Sequence, residues 1–284
     1  MGQSQIVIAE LHDSDFDRFR EMIYRESGIN LSPLKKALVQ SRLMRRMREL
    51  GIRDYGDYYQ YVLDNYDQEH INLVNCITTN KTDFFRESGH FDFLASEVLP
   101  KYESSGKSSI RIWSAGCSTG EEPYTIAISL LEFYRSRKLP DVKILATDID
   151  TKVLETAAAG LYKEETVKNI DRDVLRRYML KGVGNNAGLY RIKDDVKKLI
   201  YFRRLNLLDD TFPIKNPFDI IFCRNVVIYF DKESQVKLFK QFHHHLADDG
   251  YLFIGHSETL TSVSSLFYFR GRSVYGKVKE NVHP

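Results

Sequence analysis

The stretch from Ile110 to Pro123, Ile-Arg-Ile-Trp-Ser-Ala-Gly-Cys-Ser-Thr-Gly-Glu-Glu-Pro, constrains the fold more than any other. A short β-prone run (Ile110, Ile112, Trp113) ends in small residues, and Gly116 and Gly120 bracket Cys117, Ser118 and Thr119. An apolar helical pattern opens at Pro123 and continues through Tyr124, Ile126, Ala127, Ile128, Leu130 and Leu131. Strand, tight turn and helix start, in that order, are the unit of an open α/β sheet. Such a sheet binds ligands beyond the carboxyl ends of its strands. Glycine there lets the backbone approach a ligand where a β-carbon would block it.

The residues after Gly120 restrict the ligand. A phosphate loop needs a lysine followed by Ser or Thr, but here Glu121 and Glu122 follow and would repel a nucleotide phosphate. The dinucleotide pattern G-x-G-x-x-G fails on its spacing. A cationic ligand carrying a ribose suits Glu122 and a second acid downstream. S-adenosylmethionine, with its sulfonium, ammonium and ribose diol, is such a molecule. The second acid is Asp148, at the end of the apolar run Val142 to Asp150. A carboxylate at the end of the second strand can accept both ribose hydroxyls. Asp150 is better placed to cap the next helix, which frees Asp148 for the ligand.

The first eighty or so residues read as helical. Asp13 is positioned to cap a helix through Phe16, Phe19, Met22 and Ile23 that ends near Gly28. Ser32 is positioned to cap a second helix, with Pro33 in its first turn and Gly51 beyond its end. Its apolar stripe reads as Leu34, Leu38, Leu43, Met47 and Leu50. Lys35, Lys36, Arg42, Arg45, Arg46 and Arg48 cover the remainder, with Glu49 as the one acid. This is either a solvated face or a dock for something acidic. A third helix covers Tyr55 to Asn65, and a fourth runs from about Glu69 to Ile77. The net charge of the 284-residue chain is only +2, so an anionic partner has to be met by such a local patch.

Thr78 to Arg86 packs small polar residues, two phenylalanines and an arginine into one connecting segment, and loops carry function disproportionately. Residues 160 to 205 break the alternation of strand and helix. A turn-rich loop from Lys181 to Gly188 is followed by strand-like runs at Leu189 to Ile192 and Leu199 to Arg203. This predicts a small β insertion at about 180–205, whose edge could accept a peptide by strand addition. Phe218 to Cys223 is a strongly apolar strand. A helix from Ser234 to Leu246, a strand from Tyr251 to Gly255 and a closing antiparallel pair (Leu266 to Arg270, Val274 to Val278) complete the pattern. His243, His244 and His245 are consecutive on a helix and cannot ligate one metal together, so no metal site is expected.

Cys76, Cys117 and Cys223 are widely separated, which suits a reducing cytoplasm. The N-terminal run lacks the basic flank of a signal peptide. No segment approaches the ~20 apolar residues of a membrane span, so no membrane insertion is expected.

Together these stretches resemble the chemotaxis receptor methyltransferases, the CheR family, over nearly the whole chain. The resemblance rests on Thr78-Thr79-Asn80 with Phe84-Phe85-Arg86, Trp113-Ser114-Ala115 with Ser118 to Tyr124, and Asp148-Ile149-Asp150. It rests also on Asn206-Leu207-Leu208, Cys223-Arg224-Asn225 with Ile228-Tyr229-Phe230, and Gly255-His256-Ser257-Glu258. It implies a Rossmann-like S-adenosylmethionine-dependent methyltransferase sheet in an α/β fold. An N-terminal all-helical docking domain (1–80) would precede the catalytic domain (81–284), which carries the antiparallel β insertion.

The activity implied is O-methylation of glutamate side chains on the cytoplasmic helices of chemoreceptors, in chemotaxis adaptation, with S-adenosylhomocysteine as by-product. The resemblance carries cofactor roles to Asn80, Thr82, Arg86, Glu122, Asp148, Asn206, Leu207, Arg224 and Asn225, and places Arg86 and Tyr229 at the reacting centre. It turns the basic helix toward the acidic receptor. The loop bearing Gly182, Gly184 and Gly188 is similar to one that in some members holds a receptor's C-terminal peptide. The implied location is the cytoplasm, at membrane-bound receptor arrays. A nucleic-acid methyltransferase would place an Asp/Asn-Pro-Pro-Tyr-like run where Arg224 to Tyr229 stand, so no nucleic acid is expected. A non-catalytic S-adenosylmethionine-binding scaffold is the other class left open.

Overall fold

The computed structural model describes residues 8–279. The outermost residues of both expected domains, and most of the N-terminal run, lie outside the described residues.

Four helices come first: α1 (Asp13–Ser27), α2 (Lys36–Leu50), α3 (Tyr55–Asp64) and α4 (Tyr66–Ile77). Their apolar faces, led by Phe16, Phe19, Met22, Leu43, Met47, Tyr58 and Leu73, share one buried cluster. Gly28 and Gly51 end α1 and α2 in the left-handed conformation, at φ 68° and 73°, and turn the chain out of each helix. Two expected caps are corrected. Asp13 lies inside the first turn of α1, after His12, and pairs with Lys36 at 2.5 Å. Ser32 makes no side-chain cap bond.

The expected apolar stripe of the second helix is also out of phase. A 3-10 turn, Pro33–Lys35, precedes α2. Its tighter winding rotates the residues before the α-helix away from the core. Val39, Leu43 and Met47 are buried, whereas Leu34 is 95% exposed and Leu38 40%.

The main sheet has seven strands: β1 (Ser109–Ala115), β2 (Asp141–Asp148), β6 (Ile200–Arg204), β7 (Phe218–Cys223), β8 (Leu246–Ile254), β9 (Phe267–Gly271) and β10 (Val274–Lys277). Their order is β6-β2-β1-β7-β8-β10-β9. The first five are mutually parallel, and β10 runs antiparallel to β8 and β9. Helices α5 (Glu121–Phe133), α6 (Thr151–Ala159) and α7 (Lys232–His245) follow β1, follow β2 and precede β8. From β1 the chain moves outward one way through β2 to β6, then returns to the other side of β1 at β7. The strand order therefore reverses between β1 and β7, where an open sheet leaves a crevice.

The β insertion begins and ends earlier than 180–205. Strands β3 (Leu161–Lys163), β4 (Met179–Lys181) and β5 (Leu189–Ile192) form a separate antiparallel sheet in the order β3-β5-β4. The run read as its last strand is β6, the edge of the main sheet, paired with β2 from Ile144–Ile200 to Asp148–Arg204. A short half-exposed strand carries no local mark of which sheet it joins.

Beneath the crevice, Trp113 is fully buried among Phe212, Phe218 and Phe242. Its indole N–H donates to Thr147 Oγ1 at 2.9 Å, which ties β1 to β2. The three cysteines are buried and free. Among the described residues, no helix is long and apolar enough to cross a membrane. Trp113→Ala is expected to cost about 3–5 kcal/mol, read as a lowered urea midpoint of the full chain.

Candidate active site

A cavity of about 270 Å³ opens at the carboxyl ends of β1, β2, β6 and β7. Asn80, Thr82, Arg86, Glu122, Asp148, Asn206, Leu207, Arg224, Asn225 and Tyr229 all line it, although they come from segments as far apart as 80 and 229. Ser27, Ile29, Ser118, Ile149 and Leu205 are among its other lining residues.

The turn after β1 works through its backbone. Gly116 has φ 80°, and a β-carbon there would stand 2.4 Å from Val226, so only glycine fits. Ser118, itself left-handed at φ 49°, donates its N–H to Asp148 Oδ2 at 2.8 Å. Asp148 Oδ1 accepts the N–H of Asp150 at 3.0 Å. Asp150 caps α6 as the sequence suggests, accepting from Lys152 and Val153. Its other oxygen accepts from Thr78 Oγ1 at 2.7 Å and Asn80 Nδ2 at 2.8 Å. One carboxylate thus starts a helix and holds the connecting segment against the sheet.

Glu122, in the first turn of α5, accepts from Ser114 Oγ at 2.7 Å and pairs with Arg224 at 3.3 Å. Arg224 also meets Glu87 at 3.3 Å and donates to the carbonyl of Arg86. Burial pushes the Glu122 carboxyl up, and the Arg224 charge offsets this only in part. Burial likewise raises Asp148 against its backbone hydrogen bonds. For Glu87 burial also raises, but Arg224 and Asn225 outweigh it and hold the carboxyl below its ordinary range. Phe85 and Glu87 both have φ 56°, a costly conformation for such side chains, so Arg86 sits in a strained turn. Tyr229 ends the 3-10 turn Val227–Tyr229. Its carbonyl accepts from the Asn30 N–H at 3.0 Å, and its ring lies 5.9 Å from Lys35 Nζ.

The basic helix divides. Arg42 donates to the carbonyls of Ile77 and Thr78 and to Thr79 Oγ1, so it fastens the end of α4. Arg46 grips the buried Glu69 with two hydrogen bonds, at 2.9 and 2.7 Å, and also meets Glu49. Lys36 is taken by Asp13. These three cations are thus paired within the helical unit. Arg45 and Arg48 are exposed, and Lys35 stands beside Tyr229.

Gly182, Gly184 and Gly188 lie in the β4–β5 connection. A β-carbon on Gly182 would stand 2.0 Å from the Asn186 carbonyl oxygen, so this glycine shapes the loop itself. Gly184 and Gly188 have φ 58° and 81° with open space around them.

Two carboxylates at the site went unassigned by sequence reasoning, Glu87 and Glu258. Glu258 belongs to the quoted Gly-His-Ser-Glu run, but nothing in that run states which backbone groups it binds. Glu87, His90 and His256 bring ligating atoms within 4.8 Å of one another, and the cation beside that carboxylate is Arg224. His90 Nε2 donates to the Arg272 carbonyl at 2.7 Å. Along α7, His243 and His245 are buried and His244 is exposed, so they do not converge.

Two family models match the chain: CheR methyltransferase, SAM binding domain, over residues 80–275, and CheR methyltransferase, all-alpha domain, over 14–78. The chain belongs to the CheR methyltransferase family. A chemotaxis protein methyltransferase of Klebsiella aerogenes is 42% identical over 95% of this chain and 91% of its own. One of Escherichia coli K12 is 41% identical over 95% and 93%. The chemotaxis protein methyltransferase 2 of Pseudomonas aeruginosa is 43% identical over 92% of each. A solved glycopeptide N-methyltransferase bound to S-adenosylmethionine aligns with a TM-score of 0.36 at 12% identity, over 62% of this chain and 51% of that one. That likeness is too loose to bear on the site. As a CheR, the chain is an S-adenosylmethionine-dependent methyltransferase of chemotaxis.

Two outcomes follow for this CheR. Arg46→Glu leaves Glu69 buried and uncompensated and is expected to cost about 3–5 kcal/mol, whereas Arg45→Glu stays within about 0.5 kcal/mol; thermal melts separate them. Burial, with Arg224 nearby, pushes His90 down to about 4 from 6.5. The unfolded chain therefore takes up a proton that the folded chain refuses, and stability falls as pH drops from about 6.5 toward 4. The expected loss approaches 3 kcal/mol, and urea midpoints at pH 7 and 5 for parent and His90→Gln show it as a slope that the variant lacks.

Proposed function

We propose that this CheR methylates glutamate side chains on the cytoplasmic helices of chemoreceptors, giving methyl esters in chemotaxis adaptation. The observation that carries the reading is one cavity combining two half-buried acids, Glu122 and Asp148, with Tyr229, beside which Lys35 stands. Acids suit a cationic, ribose-bearing cofactor and oppose phosphate. Lys35, with exposed Arg45 and Arg48 on the helix that follows it, suits an anionic substrate.

Bound S-adenosylmethionine supplies an electrophilic methyl on a sulfonium sulfur. In this reading Asp148 accepts the ribose hydroxyls, while Glu122 offsets positive charge within the cavity. Asn80, Thr82, Asn206, Leu207, Arg224 and Asn225 shape the remaining walls. Arg86 orients the cofactor, and Tyr229 orients the incoming carboxylate. That carboxylate is ionised at neutral pH, so no general base is required. What the residues supply is alignment and exclusion of water, and alignment alone can lower a barrier by about 7–11 kcal/mol. Each ester removes one negative charge from an acidic helix and weakens its repulsion of neighbours.

The finer reading gives the β3-β5-β4 sheet the receptor's C-terminal peptide, added as a strand, with Gly182, Gly184 and Gly188 shaping the adjoining loop. Exposed Leu180 and Val183 beside the β4 edge support it. The protein then works in the cytoplasm at membrane-bound receptor arrays.

The test is transfer of labelled methyl from S-adenosylmethionine to a chemoreceptor cytoplasmic fragment, followed by mild base. Label released as methanol is the expected result. Base-stable label would overturn esterification in favour of a nitrogen acceptor. No label on any receptor fragment, with cofactor binding demonstrated, would make the protein a scaffold.

A further inference from the structure

The turn that carries Asn225 and Tyr229 leaves three successive backbone N–H groups, at residues 225 to 227, pointing to one side. Asn225 is left-handed at φ 58°, and Val226 follows in the right-handed region at φ −114°, ψ −45°. That alternation makes a concave nest for an anion. The anion here is internal. Glu258 Oε2 accepts from Asn225 N at 3.0 Å and Gly255 N at 2.6 Å, and Oε1 accepts from Val226 N at 3.0 Å and Val227 N at 2.9 Å. Glu258 is 7% exposed. A β-carbon on Gly255 would stand 2.9 Å from Glu258 Oε2 and 2.7 Å from Asn225 Nδ2, so the position just past β8 also requires glycine.

We infer that Glu258 is a positioning residue for methyl transfer: its carboxylate fills the backbone nest at residues 225–227 and so sets where Asn225 and Tyr229 stand. This rests on the proposed roles of those two residues. Glu258 does not line the cavity, so it acts only through the turn. The far end of the turn is also held by Gln235 Nε2, which donates to the Val227 and Phe230 carbonyls at 3.1 and 3.0 Å, and by the buried Val227 side chain. The Asn225 amide reaches Glu87 at 3.3 Å and the Tyr229 carbonyl takes Asn30, but no other group receives the three amides. Without a full negative charge, at least one amide loses its acceptor, and a displacement of 1 Å at a reacting centre can cost about 10²-fold in rate.

The experiment is a double-mutant cycle in the full chain, with Glu258→Gln, Tyr229→Phe and both together. The readout is kcat for methyl transfer to a receptor fragment, with melting to verify folding. Glu258→Gln is expected to lower kcat about 10²-fold. If it acts through the turn, Tyr229→Phe then loses most of its own effect when Glu258→Gln is already present, the non-additivity of coupled residues. Multiplicative effects, or a Glu258→Gln kcat within twofold of the parent, overturn the proposal.

Hydrogen exchange of the parent does not depend on the variant folding. The amides of residues 225–227 should exchange as slowly as those of β8, and exchange at exposed-loop rates would also overturn the nest. A parent that transfers no methyl would sink the proposed function, and the exchange measurement would still decide the nest.

Discussion

Arg224 holds the site together. Its guanidinium, 3% exposed, lies between Glu122 at the start of α5 and Glu87 in the segment before the sheet, and it reaches the Arg86 carbonyl as well. Three stretches remote in sequence meet on one cation. A buried charge is costly unless paired, and a buried carboxylate equally so. Removing the arginine would therefore strand two acids and release the strained Arg86 turn in one step. Two acids share this one cation, an arrangement that a cationic ligand can complete.

Burial, set against the reach of Arg224, explains the opposite behaviour of neighbouring acids. Glu122 and Asp148 are raised by burial, while Glu87, closest to Arg224 and Asn225, is lowered. The cavity thus contains carboxylates whose ionised form is incompletely compensated by the protein alone. A sulfonium and an ammonium would supply the missing stabilisation, whereas a phosphate would add to the deficit.

Much of this was legible in the sequence because it is local. The Ile110–Pro123 turn, the helix cap at Asp150, and the strand ending at Cys223 each follow from neighbouring residues. What was not legible depends on partners far along the chain. Arg42 and Arg46 look like free cations until α4 brings the Ile77 and Thr78 carbonyls and Glu69 to them. Leu34 looks like core until the 3-10 turn rotates it outward. β6 looks like part of the insertion until β2 is beside it. Glu258 had a motif but no visible role, since its partners are backbone amides that every residue but proline carries.

The helical unit is not a detachable module. Ser27 and Ile29 line the cavity, the Glu26 carbonyl accepts from Asn206, and the Asn30 N–H bonds to the Tyr229 carbonyl. Tyr24 OH also reaches Asp231, just past the turn that carries Tyr229, at 2.6 Å. A chimera that exchanged this unit to redirect receptor choice would carry part of the cofactor's enclosure with it. The end of α1 and the residues just after it, together with Ile77 and Thr78 at the end of α4, are therefore walls of the cavity as much as parts of the helical unit, and a graft has to keep them with the sheet they face.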